Sequence, residues 1–233
     1  MFDYTLLVDE TGFDGASKRI MYVGCLFENN ELDGVKDTIL DFNKRCLDDP
    51  LYSGKKGLVN SVNEPRHFVD DTMSLKVRFR DEVLRKIPYR VYAVFDIPKA
   101  TVKESKVELF KAFINYVKQV REIKSLNVII ESSGTDDKYL EECGAKFLTK
   151  EYLPLCIADY YGGVLHRFHE LRLKYLETGI KINSSERTQV ELDQYYALVD
   201  RISFERDLST KETSSRRNGR YFLEQIQGIV SND

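Results

Sequence analysis

An α/β fold with a mixed sheet is predicted by this sequence, on three observations. Residues 4–12, Tyr4-Thr5-Leu6-Leu7-Val8-Asp9-Glu10-Thr11-Gly12, form an apolar run with β-branched members that ends in two carboxylates and a glycine turn. The link from this strand to the next apolar run is short, which suits an antiparallel hairpin. Residues 89–131 read as strand, crossover helix and strand, a βαβ unit whose two strands pair in parallel.

Taken in order, Phe13 to Arg19 is the hairpin connection and Ile20–Phe27 the second strand. Asn29 or Asn30 can cap a helix running to about Cys46, where Leu32, Val35, Ile39 and Phe42 share one face. Residues 48–62 form a loop with a locally basic Gly54-Lys55-Lys56-Gly57. A helix over 72–87 turns Leu75, Phe79, Val83 and Ile87 inward and is stopped by Pro88. The third strand is Tyr89–Asp96. A helix over 103–121 follows, carrying Val107, Phe110, Phe113, Ile114 and Val117. Leu126–Glu131 is the fourth strand, 136–143 a short helix and Lys146–Thr149 a short fifth strand.

Leu153 to about Lys174 is a strong helix with Leu155, Ala158, Gly162, Leu165 and Phe168 along one side. Beyond Thr178-Gly179 come a helix near 187–202, a polar, basic run from Ser209 to Gly219, and a short helix over Tyr221–Ile229. The chain is accordingly divided into a five-stranded α/β domain, 1–177, and a helical C-terminal appendage, 178–233, packed on it. The appendage holds too little apolar sequence to bury a core alone.

Composition narrows the function. Of 233 residues, 42% are hydrophobic and 31% charged, as in ordinary globular proteins, and the formal net charge of −3 announces no polyanion-binding protein. A local basic groove beside an acidic site remains open. Cys25, Cys46, Cys143 and Cys156 form no CxxC pair, so they read as scattered small hydrophobes in a reducing compartment. No basic leader and no apolar run of about 18 residues is present, so a cytoplasmic protein without membrane association is expected.

The chemistry is expected from carboxylates. Asp9 and Glu131 both end hydrophobic strands, and Asp159 lies in the apolar stretch Leu155-Cys156-Ile157-Ala158-Asp159, where an acid needs compensation. Gly162 and Gly163, one turn on, allow the helix to approach the sheet closely. Glu64 is a fourth candidate, and His67, three residues later, could relay a proton or orient it. Glu10 points to the opposite face of the strand unless a turn begins there. Clustered like charges raise carboxyl pKa values or demand a cation with oxygen ligands, and Mg²⁺ or Mn²⁺ is the usual one. Each acid also has an ordinary structural meaning: a cap, a solvated turn or, for Asp159, an ion pair with Arg167. His166 and His169 read as helix surface, and Asp70-Asp71 as cap residues.

These residues carry a resemblance. The segments Val8-Asp9-Glu10-Thr11-Gly12, Asn63-Glu64-Pro65-Arg66-His67-Phe68, Val128-Ile129-Ile130-Glu131 and Leu153-Pro154-Leu155-Cys156-Ile157-Ala158-Asp159-Tyr160-Tyr161-Gly162-Gly163 resemble, in order and spacing, a large family of bacterial and phage proteins. That family is assigned to the ribonuclease H-like superfamily. Thr11 replaces the more usual serine, and Ile157 stands where leucine is commoner.

The resemblance implies a ribonuclease H-like mixed sheet. It also implies an acidic centre of Asp9, Glu131 and Asp159, with Glu64 or Glu10 as a further ligand, for two Mg²⁺ or Mn²⁺ ions. The implied activity is phosphodiester hydrolysis of nucleic acid, RNA or DNA, in a mobile-element or phage-defence setting. Lys55, Lys56, Arg216, Arg217 and Arg220 are the candidate phosphate contacts. Two rival readings stand beside it: a catalytically inactive interaction protein presenting Tyr160, Tyr161, Tyr195 and Tyr196, and a hydrolase of small phosphorylated metabolites. A homodimer is compatible with each.

Overall fold

The computed structural model describes residues 3–13, 17, 19–54, 56–97, 102–132, 138–149, 151–179, 186–215, 222 and 225. The strands are β1 (Tyr4–Thr11), β2 (Ile20–Glu28), β3 (Arg90–Asp96), β4 (Leu126–Glu131), β5 (Ala145–Leu148), β6 (Ile202–Asp207) and β7 (Thr213–Ser215). The helices are α1 (Asn29–Leu47), α2 (Met73–Phe79), α3 (Val102–Arg121), α4 (Lys138–Glu141), α5 (Leu155–Thr178) and α6 (Glu186–Leu198). A π-helical turn, Arg80–Leu84, prolongs α2.

All seven strands belong to one sheet in the order β5-β4-β1-β2-β3-β6-β7. Strand β2 pairs antiparallel with both β1 and β3, and β7 with β6, while β4 joins β1, β5 joins β4 and β6 joins β3 in parallel. The mixed sheet is therefore as expected, but it has seven strands rather than five, and residues 202–207, just past the helix expected near 187–202, form a strand. Strands β3 and β4 run in the same direction but do not pair as expected, because β1 and β2 lie between them. Ser203, Glu205, Arg206 and Asp207 interrupt the apolar pattern there, and the charges of Glu205 and Asp207 are answered partly from distant segments, by His169 and Arg19. Glu205 accepts hydrogen bonds from His169 Nε2 at 2.9 Å and Tyr195 Oη at 2.8 Å, and Asp207 pairs with Arg19.

Alternation along the strands sends side chains to two cores. Leu7, Val23, Cys25, Ala93, Phe95 and Ile129 face α1, α2, α5 and α6, whereas Leu6, Val8, Tyr22, Val94, Val128 and Ile130 face α3 through Phe110, Phe113 and Val117. Burying one such phenylalanine contributes roughly 1.5–3 kcal/mol. The cysteines are free thiols, with Cys25, Cys46 and Cys156 buried. Among the described residues no helix is long and apolar enough to cross a membrane.

Several local expectations change. Helix α1 is capped by Glu28, whose amide donates to Glu31 Oε2, rather than by Asn29, whose Oδ1 accepts from Thr5. Tyr160, Tyr161 and Tyr195 are fully buried, so they offer no partner surface; of the four, only Tyr196 is exposed. His169 is also buried, against Phe95, Phe168 and Phe222. The short helix expected over Tyr221–Ile229 falls outside the described residues, apart from Phe222 and Gln225.

Strands β1, β3, β4 and β6 run in one direction, and each brings an acid to the same edge: Asp9 and Glu10, Asp96, Glu131, and Asp207.

Candidate functional site

The register of β1 with β4 pairs Leu7 with Ile129 and Val8 with Ile130. Continued by one residue, it sets Asp9 beside Glu131, on neighbouring strands roughly 4.8 Å apart. Both acids then project on the face of Leu7 and Ile129, the face covered by α5. Glu10 projects to the other face, since β1 runs on through Thr11. There it pairs with Lys106 Nζ of α3 at 2.6 Å and accepts from Tyr22 Oη at 3.4 Å. Helix propensity and the α3 face give no hint of that lysine's partner. It follows only from the sheet's parity.

Helix α5 meets the acids through its glycine pair. A β-carbon on Gly162 would lie 2.3 Å from Asp9 Oδ2, and one on Gly163 would lie 2.0 Å from the Phe68 ring. No side chain fits at either position without displacing its neighbour. The two glycines, which weaken the helix intrinsically, are what let α5 seat itself against Asp9.

Burial, followed by the nearby charges of Asp159, Glu10 and Glu131, pushes the Asp9 carboxyl well above the usual carboxylate range; a backbone hydrogen bond at Glu10 opposes this. Part of Asp9 stays accessible, but its carboxyl is sunk between the strand ends and α5. Burial, then the charge of Asp9, likewise raises the thiol of Cys25 on the adjoining strand.

The remaining acids are held by protein partners. Asp159 Oδ2 accepts the Phe68 backbone amide at 2.6 Å, and its Oδ1 stands 4.0 Å from His67 Nδ1. Its expected alternative partner, Arg167, instead reaches Glu170 at 3.4 Å. Glu64 Oε2 accepts the Asn60 amide at 2.6 Å and lies 2.7 Å from Arg66 Nη2.

The loop carrying Phe68 is fixed from below. Asn43, buried on α1, donates to the carbonyls of Val62 and Glu64, while Arg66 pairs with Asp71 at 3.2 Å and Asp71 accepts from Tyr160. Asp71 is thus a buried network member rather than a cap. Burial outweighs the opposing Arg66 charge and lifts its carboxyl to about 6. The sequence offered no sign of this network, because its members are individually ordinary.

Of the candidate ligands, then, Asp9, Glu131 and Asp159 share one end of one sheet face, while Glu10 and Glu64 are engaged elsewhere. A divalent cation would relieve the crowding around Asp9, and carboxylate oxygens suit Mg²⁺ or Mn²⁺. As the side chains stand, no group of three or more His, Cys, Asp or Glu among the described residues forms a metal-holding set. Lys56 is exposed on its loop, and Lys55, Arg216, Arg217 and Arg220 lie outside the described residues.

No protein-family model matches this sequence, and no curated protein matches it either. Solved structures with a similar course of chain include ribonuclease structures. A chain of the PCNA:RNase HII complex from Archaeoglobus fulgidus gives a TM-score of 0.46 at 15% identity, over 87% of this chain and 91% of that one. The ribonuclease H2 from Pyrococcus horikoshii OT3 gives 0.46 at 16%, over 83% and 87%. Bst-RNase HIII in complex with Mn²⁺ gives 0.44 at 11%, over 76% and 55%. The fold is α/β: an antiparallel β3-β2-β1 half continued in parallel by β4 and β5, with helices on both faces.

Proposed function

We propose that this chain is a ribonuclease H-like protein that engages nucleic acid, RNA or DNA, and that with its acids arranged as described it binds without cutting. The supporting observation is the engagement of Asp159 by the Phe68 amide at 2.6 Å, on a loop pinned by Asn43 and Arg66. Glu10 and Glu64 are spent in the same way on Lys106 and Arg66. Nucleic acid as the partner rests on the motif resemblance and on the exposed Lys56. Membership of the bacterial and phage family, with its mobile-element or defence setting, belongs to the same proposal.

A second reading, metal-dependent phosphodiester hydrolysis, is favoured by Asp9 itself. A carboxyl raised first by burial and then by three neighbouring acids is compatible with an unneutralised cation site. Asp9, Glu131 and Asp159 would hold Mg²⁺ or Mn²⁺, whose chemistry when bound is to acidify a water and stabilise the leaving oxygen. The chain's own contribution is fixed at two points, since β1 and β4 hold Asp9 and Glu131 in register. At the third, Asp159 has to release the Phe68 amide.

One experiment separates these readings. Labelled single- and double-stranded RNA and DNA are incubated with wild type and Asp9→Asn, in EDTA and in millimolar Mn²⁺. Binding in EDTA with substrates left intact in Mn²⁺ supports the first reading. Mn²⁺-dependent cleavage that Asp9→Asn abolishes overturns it in favour of the second. Hydrolysis of mononucleotides with no polymer bound overturns both.

A further inference from the structure

A groove of about 330 Å³ opens beside the acids. Thr11 and Gly12, just past Asp9, form one wall, Phe68 and Val69 a second, and Gly163, His166 and Arg167 of α5 the floor. Asp159, Gly163, His166 and Arg167 follow one another at helical spacing on one side of α5, so the groove leads from the acidic end along that helix. At about 1.5 Å per residue, Arg167 stands roughly 12 Å beyond Asp159 along the axis.

The groove's chemistry is graded. Asp159 lies one helical turn before Gly163, so the acids border one end without lining it; an exposed apolar side chain, Val69, stands at the rim, and Arg167, with the His166 imidazole beside it, at the far end. Arg167 is 43% exposed, and its contact, Glu170 Oε2 at 3.4 Å, is itself on the surface. His166 Nε2 is 3.7 Å from the same carboxylate. Pairs of this kind are worth little in water and exchange readily for a phosphate, which offers the guanidinium two oxygens at once. The volume lies at the small end of ligand pockets, enough for one nucleotide unit and too small for a base pair.

We infer that this groove receives a single nucleotide unit of a single-stranded nucleic acid, with Arg167 gripping its phosphate, His166 beside it and Glu170 acting as the displaceable counter-charge. The inference rests on the nucleic-acid reading above and adds to it the strand state, the polarity of the groove and the residues that contact the ligand.

The test is fluorescence anisotropy of a labelled single-stranded oligonucleotide in EDTA, over a range of salt, with the full chain. Arg167→Gln is expected to weaken binding about tenfold and to lower the slope of log K against log salt by about 0.7, the signature of one lost phosphate contact. Glu170→Gln is expected to strengthen binding about threefold, since it removes the competing carboxylate. Both side chains are partly exposed, so unchanged melting temperatures are expected and serve as the folding control. If wild type binds but neither variant shifts affinity or salt slope, the groove assignment is overturned and the nucleic-acid reading survives. If wild type binds no oligonucleotide, both fall. If adenosine monophosphate displaces the oligonucleotide at equal concentration, the site takes free nucleotides and the strand assignment is overturned.

Discussion

Gly162 lies so close to Asp9 that the smallest possible side chain on it would sit 2.3 Å from a carboxylate oxygen. The contact makes a helix position answerable to a strand end. Gly162→Ala is therefore expected to destabilise the protein by about 1–3 kcal/mol through overpacking, despite the alanine's better helix propensity. Gly34→Ala is the control: that glycine sits on the exposed side of α1 with nothing within 4 Å, so its replacement should stabilise by about 0.5–1 kcal/mol. Urea denaturation midpoints of the two variants should move in opposite directions.

The raised carboxyl of Asp9 makes metal-free stability depend on pH in a definite direction. The folded state holds this proton more tightly than the unfolded chain does. The stabilisation is therefore complete below the ordinary aspartate range and is lost as pH rises through the folded value. Asp9→Asn removes the penalty. In EDTA it should match wild type in acid and become the more stable of the two toward neutral pH. A constant difference between them from pH 4 to 8 would mean that the Asp9 carboxyl is not raised in the folded protein.

Asp159 holds the Phe68 loop by a charged acceptor on a backbone amide, and such bonds contribute about 1.5–3 kcal/mol. Asp159→Ala should cost about that much. Amide hydrogen exchange gives a sharper readout, since the Phe68 N–H should exchange faster in the variant while amides of β1 keep their relative protection.

On the far side of α5, buried Glu205 takes hydrogen bonds from both His169 and Tyr195. Tyr195→Phe keeps the ring stacked on Phe168 and removes one of those bonds, at an expected cost of about 1–3 kcal/mol. Burial depresses the His169 imidazole below its ordinary 6.5. Its stabilisation is present above that value and is lost as pH falls through the depressed one, because the unfolded chain binds the proton first. Thermal melts of wild type and His169→Gln between pH 5 and 8 should diverge at the acid end if the imidazole is neutral when folded.

The sequence was legible where one physical signal dominated. Strands β1 and β4 are apolar runs that stop at an acid, and their ends were read within a residue; the glycine pair of α5 announced a close approach. Glu10 followed the parity argument, facing away from Asp9 as an uninterrupted strand requires. Legibility failed where partners are remote. Strand β6 looks polar until His169, Tyr195 and Arg19 are beside it. The tyrosines at 160, 161 and 195 looked like a contact surface because a tyrosine's composition says nothing about which of its two characters, ring or hydroxyl, the fold will use. Asp71 needed Arg66 and Tyr160 to become intelligible, and neither lies at a spacing that suggests it.

The pairing of β3 with β6 joins Val91 to Ile202 and Phe95 to Asp207. During synthesis, β3 emerges with β2 on one side and a bare hydrogen-bonding edge on the other, and the segment that covers it is still unmade. Such an edge invites strands from other chains. A nascent chain stalled after α5 should therefore aggregate, and the emergence of residues 202–207 from the ribosome marks the moment when this edge is closed to strangers.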